Sequence, residues 1–192
     1  MRINPIRFQT VLFSSIQLSA CGQLSDSSTS SGDGSGTGTS SGDPFSTQTS
    51  VGSSKSGTYG FNYTETLYGC TDGSRGVGEG ASMEMTVEVG DGRIAFGQSA
   101  SSAATSQATI ANSGIEVISS TAISGTIQST GAFSATSTAF FRDYKMGYIN
   151  AKYRFNGLIS GNSWTGKYEF DLYFSDYGVA CSYSSNFYGA RR

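Results

Sequence analysis

The chain has 192 residues, including 26 Gly, only 2 Pro and no His, and its formal net charge is -2. Without His, catalytic sites that depend on a His base are excluded, and the commonest metal ligand is absent. Phosphate binding needs a basic surface, so the near-neutral charge argues against a nucleic-acid partner. We therefore expect no nucleic acid, no metal and no cofactor.

The first 20 residues have the order of a secretory signal peptide. Arg2 and Arg7 supply positive charge, an apolar stretch follows at 8–18, and small residues precede Cys21. The apolar stretch is shorter than the roughly 20 residues that a transmembrane helix needs. We predict that residues 1–20 are a cleaved signal peptide. A buried N-terminal helix with an incidental Cys is the alternative.

The residues Leu18-Ser19-Ala20-Cys21 resemble the lipobox of bacterial lipoproteins. In that family the Cys carries lipid on its sulfur, the signal peptide is cut before it, and the new amino end is acylated. The resemblance implies that Cys21 is lipidated and anchors the protein to a membrane of the cell envelope. It also implies that the protein would incorporate labelled palmitate. Gly22 follows, and not the Asp that favours inner-membrane retention in enteric-type lipoproteins. The resemblance therefore implies the outer membrane, with the protein facing the periplasm or the cell surface.

Residues 21–57 are predicted to be a lipid-anchored flexible linker. Of the 36 residues at 22–57, 26 are Ser, Thr or Gly. Such a stretch buries too little apolar surface to offset the entropy of ordering it. As a random coil it reaches roughly 30–35 Å, enough to hold a domain clear of lipid headgroups.

Residues 58–192 carry a repeated period of two, which predicts β-strands with one apolar and one polar face. The alternation occurs at 59–67, 82–89, 115–127, 133–141, 148–155, 164–174 and 179–187. Turn signals of Gly with Asp, Asn or Ser occur at 89–92, 160–163 and 175–178. No window has a convincing helical pattern, and this segment lacks Pro, which suits continuous paired strands. We predict one all-β domain of eight to ten antiparallel strands.

Cys70 and Cys181 remain once Cys21 is assigned to lipid. Two cysteines in an exported chain most simply form a disulfide bond. Such a bond would place the end of the first predicted strand beside the start of the last, as antiparallel neighbours. A meander closed in this way is a barrel with an even number of strands. A β-sandwich whose two strands share an edge is the alternative. A redox or metal-binding pair is disfavoured because Cys-x-x-Cys spacing and His are absent.

The carboxylates offer little for catalysis. Glu84 with Glu88, and Glu169 with Asp171, could form pairs of the kind that glycosidases use. Both pairs lie on the polar faces of predicted strands, where solvated charge is the simpler interpretation. We predict that the protein is not an enzyme.

Aromatic side chains are the remaining candidates for a binding site. Most fall on the apolar faces of predicted strands, where they are expected to form the core. If the barrel is hollow, a small hydrophobic ligand would contact Tyr153, Trp164, Tyr168 and Phe170. A second set on the polar faces could contact a sugar or a protein: Tyr68, Tyr148, Tyr173 and Tyr188.

Three functions fit these observations. The first is a lipid-anchored β-barrel module of the cell envelope with a binding or structural role, whose candidate partner is another component of the envelope. The second is a lipocalin-like carrier or sensor of a small hydrophobic ligand, which requires a hollow interior. The third is an integral outer-membrane β-barrel, whose strands also carry one apolar face. The lipobox and the Ser/Thr-rich strands disfavour the third.

Overall fold

The computed structural model describes residues 53–98 and 114–192, so the predictions for the signal peptide, Cys21 and most of the linker lie outside the described residues. In the part of the chain that the structure describes, a short 3-10 helix at Ser53–Lys55 leads into nine strands. The strands are β1 Gly57–Cys70, β2 Arg75–Gly90, β3 Arg93–Gln98, β4 Ile115–Ser120, β5 Ile123–Ile127, β6 Ala132–Asp143, β7 Gly147–Ser160, β8 Ser163–Phe174 and β9 Val179–Ala190. Within these described ranges no helix has the length and hydropathy of a membrane span.

Eight of the nine strands form a closed antiparallel barrel. Around the barrel the order is β1, β2, β3, β5, β6, β7, β8 and β9, and β9 pairs again with β1. The extra strand, β4, pairs with the second half of β6, whereas β5 pairs with the first half of β6. Both β4 and β5 lie along the same edge of β6, and β7 lies along the other. The prediction of a barrel with an even number of strands is therefore confirmed, and the alternative prediction of a β-sandwich is wrong.

The seam between β1 and β9 closes the barrel. Cys70 and Cys181 are direct cross-strand partners, and the predicted disulfide joins them. The register of this seam is interrupted by a bulge between Tyr63 and Leu67. A bulge adds one residue to a strand and so reverses which face the following side chains occupy. The alternation at 59–67 predicts Leu67 on the same apolar face as Tyr63. Because of the bulge this prediction is wrong, and Leu67 is 56% exposed.

The interior is packed with the apolar residues of the period-two pattern. Trp164 on β8 is fully buried, and its indole Nε1 donates a hydrogen bond of 2.6 Å to the main-chain oxygen of Gly60 on β1. Small residues make room for this ring: a Cβ on Gly189 would lie 2.8 Å from Nε1 and 1.7 Å from the Gly60 oxygen. The large aromatics and the glycines of neighbouring strands therefore fit together as one core.

The two ends of the barrel differ. We call the end where β1 begins the linker end, and the opposite end the far end. At the linker end the 3-10 helix packs beside β2, and Lys55 Nζ donates to the main-chain oxygen of Ile159 at 3.2 Å. Tyr59 Oη donates to the main-chain oxygen of Lys55 at 2.8 Å. The far end is formed by the turns that follow β1, β6 and β8.

Candidate functional site

The four aromatics predicted to contact a ligand all lie in the barrel interior. Tyr153, Trp164 and Tyr168 are fully buried, and Phe170 is 1% exposed. The ring of Phe170 stacks on those of Tyr153 and Tyr168, with centroid distances of 5.7 and 5.6 Å. Trp164 belongs to a second group nearer the linker end, where it contacts the ring of Phe187 edge-on at 5.1 Å. The structure thus brings three of the four together and places the fourth apart.

A ladder of stacked rings crosses four neighbouring strands at mid-barrel. Tyr153, Phe170, Tyr183 and Tyr68 are successive cross-strand partners on β7, β8, β9 and β1. The rings of Phe170 and Tyr183 are almost parallel, with their centroids 4.2 Å apart. Tyr68 was predicted on a polar face, but the bulge in β1 turns it inward, where it stacks on Tyr183 at 5.6 Å. Because these rings contact one another directly, they act as core.

The buried tyrosine hydroxyls have a distinctive environment. Burial raises the pKa of Tyr63 to about 12 and raises those of Tyr153 and Tyr183 as well, so all three are neutral at physiological pH. The hydroxyls of Tyr153 and Tyr183, and that of Thr66, have no hydrogen-bond partner among residues 53–98 and 114–192. Buried polar groups of this kind are commonly satisfied by ordered water.

A groove of about 460 Å³ crosses the outer wall toward the far end of the barrel. We call it the outer groove. Its floor lies over β6, β7 and β8, and two rows of outward side chains border it. The row nearer the far end consists of Ser119, Phe140, Asn150, Tyr173 and Ala180. The other row consists of Thr121, Thr138, Lys152 and Asp171.

The charges beside the outer groove are paired. Arg154 Nη1 lies 2.6 Å from Asp171 Oδ2, and Lys167 Nζ lies 2.6 Å from Glu169 Oε1. Burial alone raises the pKa of Asp171, but hydrogen bonds from Arg154 and Ser182 and the positive charge of Arg154 outweigh it and lower that pKa. The hydrogen bond from Lys167 lowers the pKa of Glu169. Both carboxylates are therefore ionised and ion-paired, as expected for solvated charge on a polar strand face.

The other predicted carboxylate pair also lies on an outer face. Glu84 Oε1 forms an ion pair with Arg192 Nη1 at 2.6 Å, and Glu88 is exposed. Within 53–98 and 114–192, no group of three or more His, Cys, Asp or Glu side chains could hold a metal ion.

An aromatic patch adjoins the outer groove. The rings of Phe140 and Tyr148 stack at 5.5 Å with an interplanar angle of 15°. The guanidinium of Arg142 lies 5.9 Å from the ring centroids of both Tyr144 and Tyr148. Of the four polar-face aromatics predicted from the sequence, Tyr173 borders the groove, Tyr148 lies beside it and Tyr188 is exposed on β9. Phe140 was missed as a contact residue, although its place between the inward Ala139 and Phe141 in the alternation of β6 puts it on the outer face.

No protein-family model and no curated protein matches the chain. Among solved structures, the chain is similar to the ywiB protein from Bacillus subtilis, with 6% sequence identity and a TM-score of 0.36. The match covers 72% of this chain and 94% of that chain. At this level of similarity the match carries no argument about function.

Proposed function

We propose that the protein is a lipid-anchored β-barrel of the cell envelope, whose outer wall faces water and binds an envelope partner. The observation that carries this proposal is the place of the outer groove. The linker joins the barrel where β1 begins, whereas the groove crosses β7 at Asn150–Lys152, near the far end. About nine residues of β7 separate Ala151 from the linker end, which corresponds to about 30 Å of strand. A groove so placed lies toward the end of the barrel that is remote from the linker attachment.

The disulfide supports export from the cytoplasm. Cys70 and Cys181 are joined across the seam. Structural disulfides persist in oxidising compartments and are rare in reducing ones. This supports the interpretation of residues 1–20 as a signal peptide, because export would bring the chain into such a compartment.

The distribution of charge favours a water-facing exterior over an integral membrane barrel. At mid-strand the outer face of β7 and β8 carries Lys152, Arg154, Lys167, Glu169 and Asp171. A basic side chain on the lipid-facing surface costs about 2–4 kcal/mol at the bilayer midplane. Several charges on one face would therefore oppose insertion, whereas in water they form a stable paired network.

The interior argues against a lipocalin-like carrier. A carrier needs space inside the barrel for its ligand. At mid-barrel the rings of Tyr153, Phe170 and Tyr183 are in stacking contact, and Trp164 fills the region toward the linker end. A ligand would have to displace these rings.

The proposal is tested with the variant Cys21→Ser in a bacterial host. We expect metabolic palmitate labelling to be lost, and the barrel to move from the membrane fraction to the soluble fraction. The variant Cys70→Ala/Cys181→Ala, which keeps Cys21, is the matched control and should stay labelled and membrane-bound. Labelling that persists without Cys21 would overturn the lipid anchor. An unlabelled barrel that stays in the membrane would overturn the water-facing exterior.

A further inference from the structure

We propose that the outer groove binds a linear, uncharged oligosaccharide, with Phe140 and Tyr173 as the platforms on which sugar rings stack. This inference rests on the proposed function, because it requires the outer wall to face water. It adds the chemical class of the ligand and the residues that contact it.

The spacing of the two rings suits a chain of sugars. Phe140 on β6 and Tyr173 on β8 are both cross-strand partners of Asn150 on β7. They stand in one outward row, two strand spacings apart, or about 9.6 Å. Tyr173 is 47% exposed, so its side chain is accessible to a ligand. A linear oligosaccharide lying across the strands would place two of its apolar ring faces on these platforms.

Hydrogen-bonding groups stand where a sugar needs them. The amide of Asn150 lies between the two rings, and Thr138, Lys152 and Asp171 form the opposite border of the groove. Amide, hydroxyl, ammonium and carboxylate groups together can donate to and accept from sugar hydroxyls. An apolar ligand would displace water from these polar groups without replacing the hydrogen bonds that water makes to them, which costs free energy.

The charge of the groove favours an uncharged ligand. Lys152 and Asp171 are direct cross-strand partners and are the single cation and the single anion of the lining. Asp171 is ion-paired with Arg154 beside the groove, so charges of both signs are interspersed on this wall. Arg154 and Ser182 also hold the Asp171 carboxylate in place. A polyanionic chain would need an excess of basic side chains, and the lining residues supply no such excess.

The Phe140 platform is fixed before a ligand arrives. Tyr148, 43% exposed, stacks on it almost in parallel, and Arg142 lies over the ring of Tyr148. A rigid aromatic surface loses little conformational entropy on binding, which favours recognition. Most of the residues on both borders of the groove belong to the paired strands β6, β7, β8 and β9 of the barrel wall, which hold them on a rigid scaffold.

The test is calorimetric titration of the full-length mature protein, in mild detergent, with cellotetraose and chitotetraose. We expect at least one of the two to bind the native protein. The variant Tyr173→Ala should weaken that binding by about tenfold or more, as for a central aromatic contact. Tyr173→Phe should retain it, because the ring face remains. Tyr188→Ala is the matched control, since this exposed tyrosine of β9 lies outside the groove, and it should bind as the native protein does.

Two results would overturn the inference. One is that neither tetrasaccharide binds the native protein at millimolar concentration. The other is that Tyr173→Ala binds as tightly as Tyr188→Ala. If Tyr173→Ala does not fold, as judged by near-ultraviolet circular dichroism, Asn150→Ala replaces it with the same expectation. These results leave the fractionation test of Cys21→Ser untouched, so failure of the ligand class is distinguishable from failure of the proposed function.

Discussion

The bond between Cys70 and Cys181 offers the sharpest test of how this barrel is held together. It spans the seam at which β9 returns to β1, close to the far end. The register of that seam is broken between Tyr63 and Leu67, whereas β8 and β9 pair without interruption from Ser163 to Phe174. We therefore expect the seam to be the junction of the barrel that depends most on a covalent link.

The magnitude follows from the length of chain that the bond closes. The two cysteines are 111 residues apart in sequence. The loop-entropy model gives about 5 kcal/mol for a loop of that size at 25 °C. With an m value in urea of about 2.5 kcal/mol per molar, the unfolding midpoint should fall by about 2 M when the bond is removed.

The assay compares urea unfolding of Cys21→Ser with that of Cys21→Ser/Cys70→Ala/Cys181→Ala, so that no third thiol interferes. Reduced Cys21→Ser protein provides the control, because it loses the bond while keeping both cysteine side chains. All three should unfold in one transition, and the two forms without the bond should agree in midpoint. A midpoint shift below about 0.5 M would refute the reasoning, because the bond would then constrain little of the unfolded chain.

Two further predictions test the interior. Gly189→Ala should destabilise the barrel by about 1–3 kcal/mol, because the added Cβ would overlap the main chain of β1. A Cβ at Gly69 would meet nothing within 4 Å, so Gly69→Ala should be nearly neutral. Urea unfolding measures the stability of both variants. In an alkaline titration followed by tyrosinate absorbance, Tyr63 and Tyr153 should ionise only as the barrel unfolds. Since the folded pKa of Tyr63, about 12, lies above the unfolded value of about 10, its contribution to stability is complete below pH 10 and is lost as the pH rises toward 12.

Each of these predictions has a clear contrary outcome. Equal stabilities for Gly189→Ala and Gly69→Ala would mean that the close approach of β9 to β1 is not a constraint of the folded state. A tyrosinate titration with all tyrosines ionising together near pH 10, in protein that stays folded, would contradict the burial of the interior hydroxyls.

The sequence predicted most strands because their residues alternate strictly. The pattern around Trp164–Phe174 identified β8 closely, since each inward position is aromatic, aliphatic or Gly. β3 at Arg93–Gln98 was not predicted, because only Ile94 and Phe96 mark its inward face. The interval 115–127 was predicted as one strand, whereas the chain leaves the ladder briefly between β4 and β5.

The candidate site was predictable only in part. Tyr173 and Tyr148 stood out as aromatics on polar faces, and both lie in or beside the outer groove. The bulge in β1 was invisible in sequence, so Tyr68 was placed outside although it stacks on Tyr183 within the barrel. Phe140 joins the site only because the register of β6, β7 and β8 aligns it with Tyr173, and cross-strand register is set by long-range pairing.

The amino-acid sequence by itself determined the class of the fold, the inward face of most strands and the pairing of Cys70 with Cys181. These features follow from local alternation and from the small number of cysteines, which need no knowledge of distant contacts. Only the tertiary structure decided the order in which strands close the barrel, the filling of its interior and the position of the outer groove. Those features depend on register and on a bulge, which arise when residues far apart in the chain pack together.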